Sequence, residues 1–188
     1  MSKLSLEHNE FTGTLPITVG NMTSLKRFNI NSNYFEGGIP EEIGHLTRLV
    51  EWSCENNRDL GGSIPDSMSK LTDLETLSLN DIALNGTIPS FLGSLVNLQK
   101  LDLQYNDLYG TIPTELNKLT KLRILGLRSN LLKGPSPDGL CDLGLSQYTA
   151  DCATECKCCN LCIDESEKSC IFTNVCTCSG CESNKENI

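Results

Sequence analysis

Apolar residues recur along the chain with a period of about two dozen residues. The clearest copy begins at Leu98, and the next begins 24 residues later at Leu122. Within it, Leu101 and Leu103 alternate with polar neighbours, which predicts a short half-buried strand. The Leu-x-x-Leu spacing that follows Pro113 predicts a short helical turn. Because self-similarity at such a period is typical of solenoids, we expect the strands of successive copies to pair into one parallel sheet.

Six copies can be aligned, and they account for residues 1–140. Only the third has 25 residues, with the extra one in the turn at residues 57–60. The copies begin at Met1, Leu25, Leu49, Leu74, Leu98 and Leu122. Residues 141–188 do not repeat and are predicted to form a separate C-terminal cap.

Each copy follows the pattern L-x-x-L-x-L-x-x-N-x-L-x-G-x-I-P. The Asn amide after the strand can satisfy backbone groups of neighbouring copies, so the asparagines are expected to form a ladder. Two copies depart from the pattern, with Ile82 in place of the Asn and Ser136-Pro137 in place of Ile-Pro. We therefore expect the ladder to be interrupted at Ile82 and a second extended segment to weaken near the end of the stack.

The motif L-x-G-x-I-P, as in residues 84–89, resembles the plant-type leucine-rich repeat of receptor-like proteins, receptor kinases and polygalacturonase-inhibiting proteins. The resemblance implies an α/β fold, a right-handed leucine-rich-repeat solenoid. Its parallel sheet would lie on the concave face and short helical or 3-10 turns on the convex face, with a small disulfide-rich cap at the C-terminal end. It also implies a recognition module without enzymatic activity, because the leucines build a scaffold.

Ten of the eleven cysteines lie in the cap, a density typical of an oxidising compartment. Five disulfides could join them, with a pairing that the sequence does not reveal. A zinc site or a redox-reactive site is the alternative. The segment 150–162 resembles the tails of microalgal leucine-rich-repeat proteins. The candidates are Cys141, Cys152, Cys156, Cys158, Cys159, Cys162, Cys170, Cys176, Cys178 and Cys181. Cys54 stands at an inward strand position and is predicted to be a buried free thiol.

The net charge, the histidines and the apolar stretches indicate which classes of function to expect. A net charge of −9 disfavours nucleic acid as a partner. The only histidines, His8 and His45, lie on different copies, and no catalytic or cofactor motif accompanies them, so neither an enzyme nor a cofactor is expected. No stretch has the roughly 18 apolar residues of a membrane span, so we expect membrane attachment only through segments outside this chain.

The exposed strand positions are predicted to form the ligand-binding surface, a strip of basic, acidic and again basic charge. Tyr105 is the expected aromatic anchor. The candidates are Lys26, Arg27, Asn29, Glu51, Glu55, Glu75, Asp81, Lys100, Asp102, Gln104, Tyr105, Arg123 and Arg128.

Three further expectations concern context. The first copy starts in register without a capping segment, so the chain is expected to be the C-terminal portion of a longer protein, or else to self-associate through its uncapped edge. Asn21 and Asn85 begin glycosylation sequons. The cysteine density predicts an extracellular or cell-surface location.

Together these features predict a non-enzymatic module that binds a peptide, protein or glycan on its concave face. Two alternatives come from other classes. One is inhibition of a secreted cell-wall hydrolase, as polygalacturonase inhibitors do. The other is a structural or ice-surface-binding role, which would need a uniform residue type at one strand position.

Overall fold

The computed structural model describes residues 1–151 and the backbone of residues 162–163 and 169–171. Its strands, numbered in chain order, are β1 (Lys3–Ser5), β2 (Thr12–Thr14), β3 (Arg27–Asn29), β4 (Tyr34–Glu36), β5 (Glu51–Ser53), β6 (Thr76–Ser78), β7 (Lys100–Asp102), β8 (Tyr109–Gly110), β9 (Ile124–Gly126), β10 (Leu131–Leu132), β11 (Gln147–Asp151), β12 (Cys162–Ile163) and β13 (Ser169–Ile171). Six 3-10 helices span Ile17–Asn21, Glu41–His45, Asp66–Lys70, Ser90–Ser94, Thr114–Lys118 and Asp138–Leu143.

One sheet joins all six predicted strands, which confirms the repeat. Its order is β1-β3-β5-β6-β7-β9-β11-β13-β12, and the first seven strands are parallel. Strands pair at equal offsets within their copies, so that Leu77 faces Leu101 and Leu101 faces Leu125. Because the register repeats, the inward leucines stack into one continuous core.

The seventh parallel strand, β11, lies beyond the six predicted copies. It pairs with β9 so that Tyr148 faces Leu125, and Tyr148 and Ala150 are buried. Leu145, Tyr148 and Ala150 thus occupy the three inward positions of another strand. The pattern was missed because an aromatic residue and an alanine replace two leucines and because no Asn follows.

Each 3-10 helix begins directly after a proline, and the proline φ lies between −56° and −71°. Proline fits this position because it fixes φ and lacks the N–H that a first turn would leave unused. The first five helices end after five residues, at a leucine or methionine whose backbone N–H bonds back into the turn. The predicted helical turns opposite the sheet are therefore confirmed as 3-10 helices.

The asparagine ladder joins consecutive copies. The Asn57 Nδ2 donates to the Ile30 and Cys54 carbonyls at 3.0 and 2.9 Å, and its Oδ1 accepts from the Phe35 N–H at 3.1 Å. Each such amide therefore satisfies groups of its own copy and of the copy before it. Asn33, Asn106 and Asn130 make equivalent bonds.

Ile82 interrupts the ladder as predicted, and the extra residue of the third copy compensates for the interruption. The Leu60 N–H would otherwise need an asparagine oxygen at position 82. It donates instead to the carbonyl of Asn57 at 3.0 Å, inside the turn that the extra residue creates. Ile82 itself is fully buried, and the Oδ1 of Asn106 accepts from both Ile82 N and Leu84 N.

A second set of short strands lies between the main sheet and the 3-10 helices. β2 pairs with β4, and β8 pairs with β10. At the sixth copy β10 is still paired, but β8 and β10 have two residues each where β2 and β4 have three. The Ser136 hydroxyl there lies 2.5 Å from the Tyr148 hydroxyl in the interior. The described pairings of this layer stop between Asp59 and Thr87, where the third and fourth copies differ in length.

Candidate functional site

The exposed side of the parallel sheet, which the sequence predicted to be the concave face, carries side chains in straight rows. The third position of the first five copies brings Lys3, Arg27, Glu51, Thr76 and Lys100 side by side, because consecutive strands pair at this position. Neighbouring members of a row are about 4.8 Å apart. A ligand lying across the strands would therefore meet two cations, one carboxylate, one hydroxyl and one cation in that order.

A groove of about 300 Å³ runs over the first five strands of this face. Phe28 and Trp52 are buried beneath it, with their rings stacked at 6.4 Å between centroids. We call it the concave groove. It is lined by Lys3, Ser5, Glu7, Arg27, Phe28, Asn29, Glu51, Trp52, Ser53, Glu55, Thr76, Ser78 and Lys100.

Some charges of this face neutralise one another. The Lys100 Nζ lies 3.7 Å from Glu55 Oε1 and 3.6 Å from Asp102 Oδ2. Glu7 accepts hydrogen bonds from Ser5 and Asn29. Among the described residues, no ion pair involves Lys3, Arg27 or Glu51. These three groups remain available to a ligand.

A second polar cluster lies toward the C-terminal end of the face. Asp102, only 8% exposed, accepts from Gln104 Nε2 at 3.0 Å, and the Thr149 hydroxyl donates to Gln104 Oε1 at 3.1 Å. Gly126 makes room for this arrangement, since a Cβ there would lie 2.6 Å from Asp102 Oδ1. The Arg128 guanidinium lies 5.8 Å from the centre of the Tyr105 ring.

The structure divides the predicted ligand-binding residues into groups. The concave groove contains five of them, Arg27, Asn29, Glu51, Glu55 and Lys100. Lys26, Glu75 and Arg123 precede their strands and lie outside the groove. Asp102, Gln104, Tyr105 and Arg128 belong to the second cluster.

Asp81 is also outside the concave groove. It pairs at 2.9 Å with Arg58, whose side chain is 80% exposed, so this pair adds little stability. Sequence reasoning missed Lys3, Glu7 and Thr76, although their offsets within the copies could have identified them.

Cys54 is a free and fully buried thiol, as predicted. Burial, with a smaller contribution from the charge of Glu55, raises the pKa of the Cys54 thiol far above its usual range. The thiol therefore stays protonated and unreactive in the folded chain.

The other sequence-predicted sites are only partly described. Asn21 and Asn85 are exposed. Of the ten cap cysteines, only Cys141 lies within the range whose side chains are described, so the disulfide, zinc and redox alternatives fall largely outside it. No helix in residues 1–151 has the length and apolar character of a membrane span.

Comparisons with known proteins agree with this geometry. The family model described as Leucine Rich Repeat matches residues 24–46 and 97–119. None of the curated protein sequences matches the chain.

Solved structures match over a longer range. The Arabidopsis receptor kinase HAESA, in complex with the peptide hormone IDA and the co-receptor SERK1, is 40% identical with a TM-score of 0.74, over 77% of this chain and 24% of that one. The plant peptide hormone receptor RGFR1, in complex with RGF2, is 28% identical with a TM-score of 0.74, over 77% and 23%. The ectodomain of the Arabidopsis receptor kinase SOBIR1 is 29% identical with a TM-score of 0.67, over 72% and 74%.

The fold of the described residues is therefore that of a leucine-rich-repeat solenoid. Its repeats are similar to those in the ectodomains of plant leucine-rich-repeat receptor kinases, which are extracellular parts of membrane receptors. The chain spans about a quarter of the length of the hormone-receptor chains that it matches.

Proposed function

We propose that this chain is a recognition segment of a receptor-like ectodomain and that its concave groove binds a peptide. The observation that carries the proposal is the set of unpaired charges in the groove. Lys3 and Arg27 are neighbours in one row with Glu51 beside them, and none of the three takes part in a described ion pair. Charges already held by neighbours would gain less from a ligand.

The row also suggests the character of the peptide. A carboxylate of the ligand can lie between Lys3 and Arg27, while a basic group about one strand further on meets Glu51. Thr76 and Ser78 offer hydroxyls beyond Glu51. An extended peptide that crosses the strands and carries an acidic residue before a basic one satisfies this order.

Similar solenoids support the assignment to a peptide ligand. HAESA is described in complex with the peptide hormone IDA, and PEPR1 with AtPEP1, at 40% and 30% identity. The match covers only part of those receptors, so the ligand of this chain is inferred from its own groove. A co-receptor, like the one bound to HAESA, would be a second protein partner.

The remaining context belongs to the same proposal. An extracellular or cell-surface location agrees with the relatives and with the cysteine density. A disulfide-rich cap over residues 141–188 is part of the same proposal. Inhibition of a hydrolase, ice binding and self-association through β1 stay untested predictions.

Peptide display tests the proposal. The chain, secreted from a eukaryotic host, is used to select binders from a random displayed peptide library, and affinities are then measured for single variants. We expect selected peptides with acidic and basic residues, whose binding falls at least tenfold in Arg27→Glu. A matched variant, Arg48→Glu, reverses an exposed charge outside the groove and should bind unchanged. Equal loss in both variants, or no enriched peptide, would contradict the proposal.

A further inference from the structure

The 3-10 helices on the convex side pack against one another through glycine. The fourth residue of one helix meets the second residue of the next. A Cβ added at Gly20 would lie 2.6 Å from the Glu42 carbonyl oxygen, and one at Gly44 would lie 2.5 Å from that of Ser67. Gly93 meets Glu115 in the same way. Between these helices, glycine has no side chain in the way, so the backbones of consecutive turns approach closely.

The last step between described helices uses the reverse arrangement. Asn117 stands at the fourth position there, and Gly139 at the second position of the next helix provides the room. Between the third and fourth copies neither position is glycine, since Ser69 stands at the fourth and Phe91 at the second. Because two side chains must fit between these backbones, we attribute to them the groove of about 700 Å³ that lies here.

We call this groove between the third and fourth copies the lateral groove. Its lining is about half polar and half apolar. Phe91 and Tyr109 supply aromatic surface, and Tyr109 is 53% exposed. Hydroxyl groups of Ser63, Ser90 and Thr87 line it together with the carboxylate of Asp66. A pyranose ring matches this lining, because one face of the sugar is apolar and its edge carries hydroxyl groups.

The groove is next to one of the two glycosylation sequons. Gly86 and Thr87, the second and third residues of the Asn85 sequon, line it, and Asn85 itself is exposed. The Tyr109 N–H donates to the Gly86 carbonyl at 2.8 Å, and Thr87 forms a parallel bridge with Tyr109. The attachment point and an exposed ring are thus held together by the backbone.

We propose that the lateral groove holds the first sugar of an N-linked glycan attached to Asn85. The inference rests on the extracellular location proposed above. In the transfer, the Asn85 Nδ2 forms a bond to C1 of a sugar carried by a lipid diphosphate. The bond from C1 to the diphosphate oxygen breaks, the lipid diphosphate leaves with the electron pair, and the amide loses one proton.

Asn21 provides a matched control within the same chain. It is an exposed sequon asparagine at the end of a 3-10 helix, next to Gly20, where the step to the following helix is closed. A sugar at Asn21 therefore extends into solvent, while a sugar at Asn85 would lie against Tyr109. Asn85 is next to the lateral groove and Asn21 is not, so a difference between the two glycans reports on the groove.

The test uses the chain secreted with an added signal peptide from a glycosylating host, with site occupancy measured by mass spectrometry. We expect endoglycosidase to release the Asn85 glycan from the native protein at least several times more slowly than the Asn21 glycan. Asn85→Gln should lower the Tm by about 2–4 °C, as a loss of about 1 kcal/mol does in a chain of this size. Asn21→Gln should leave the Tm unchanged.

A second variant separates the sugar contact from general effects of glycosylation. In Tyr109→Ala, which changes a half-exposed side chain, removing the Asn85 glycan should no longer alter the Tm. Equal release rates at the two sites, an equal Tm with and without the Asn85 glycan, or an unmodified Asn85 beside a modified Asn21 would each overturn the proposal. Peptide binding to the concave groove is scored separately, so failure of one proposal does not imply failure of the other.

Discussion

Cys54 is a buried residue whose chemistry is controlled by its surroundings. Its thiol occupies an inward strand position and is fully buried, and burial raises its pKa. The sequence predicted this placement because Cys54 has the same offset as Leu103. The pKa shift adds a consequence for stability, since the unfolded thiol ionises near pH 8.5 while the folded thiol does not.

We predict that Cys54 makes the free energy of unfolding fall as the pH rises. Below the pKa of the unfolded thiol both states are protonated, and its contribution is fully present. Above about pH 8.5 the unfolded state loses a proton that the folded state keeps, so the free energy of unfolding drops by up to about 1.4 kcal/mol per pH unit. Cys54→Val should lack this component when urea unfolding is measured from pH 7 to 10. Parallel pH profiles of the two proteins would contradict the assignment.

The ladder asparagines allow a second test at the residue scale. Asn57 is fully buried and bonds to groups of four residues, whereas Asn9, its equivalent in the first copy, is exposed and donates to the Leu6 and Glu7 carbonyls. Asn57→Ala should lower the free energy of unfolding by about 3 kcal/mol or more, because it leaves buried groups unpaired. Asn9→Ala should lower it by less than about 1 kcal/mol, since water can replace its bonds. Similar losses in chemical denaturation would count against the ladder.

The sequence predicted which residue types face outward but not how their charges pair. Lys100 binds Glu55, which lies two strands away, and Asp81 binds Arg58 in the turn that contains the extra residue. Such pairs depend on side-chain length and local backbone path, which a repeat alignment does not contain. For this reason the predicted strip of thirteen residues becomes a smaller groove, in which Lys3, Arg27 and Glu51 form no described ion pair and Glu7 accepts only from neutral groups.

At the scale of elements, the third and fourth copies form a coupled pair. The extra residue gives the Leu60 N–H an acceptor in its own turn, and the next copy has Ile82 instead of an asparagine. Each departure is visible in the sequence, but their connection is not, because it depends on contact between adjacent copies. With only one of the two changes, a buried polar group of the ladder would have no hydrogen-bond partner.

This coupling predicts a non-additive result. Deleting Arg58 restores a 24-residue copy but leaves the Leu60 N–H without a carbonyl partner, while Ile82→Asn alone buries an amide without suitable groups. Each single change should destabilise the chain by about 1–3 kcal/mol. The combined variant should lose at least 1 kcal/mol less free energy of unfolding than the two single losses added together. Urea unfolding of the four proteins measures this, and simple additivity would show that the two departures are independent drift.

Strand β11 is an element of the parallel sheet that the leucine pattern did not predict. Its inward residues are buried like those of the other strands, yet the leucine pattern has already faded. The Asp151 carboxylate accepts from the Ser129 and Asn130 backbone N–H groups at 2.9 Å each. An acidic side chain thus satisfies backbone donors of the sixth copy, a substitution that the consensus could not indicate.

For the whole molecule, the sheet exposes polar side chains on one face and packs its apolar side chains into the core on the other. The repeat predicted the parallel sheet and the short helical turns, since both follow from the positions of leucine, proline and asparagine, whereas the class of protein was implied by the resemblance of the L-x-G-x-I-P motif. The two grooves were not predicted, because each depends on local departures from the repeat. The net charge of −9 also makes the basic end of the concave groove an exception to the surrounding surface.

Backbone hydrogen exchange of the chain, with and without a peptide selected by display, tests the central claim most directly. We predict slower exchange on binding in residues 27–31, 51–55 and 76–80, which carry the concave groove, and unchanged exchange in the convex turns 41–45 and 66–70. Protection confined to those convex turns, with no change along the strands, would contradict the account.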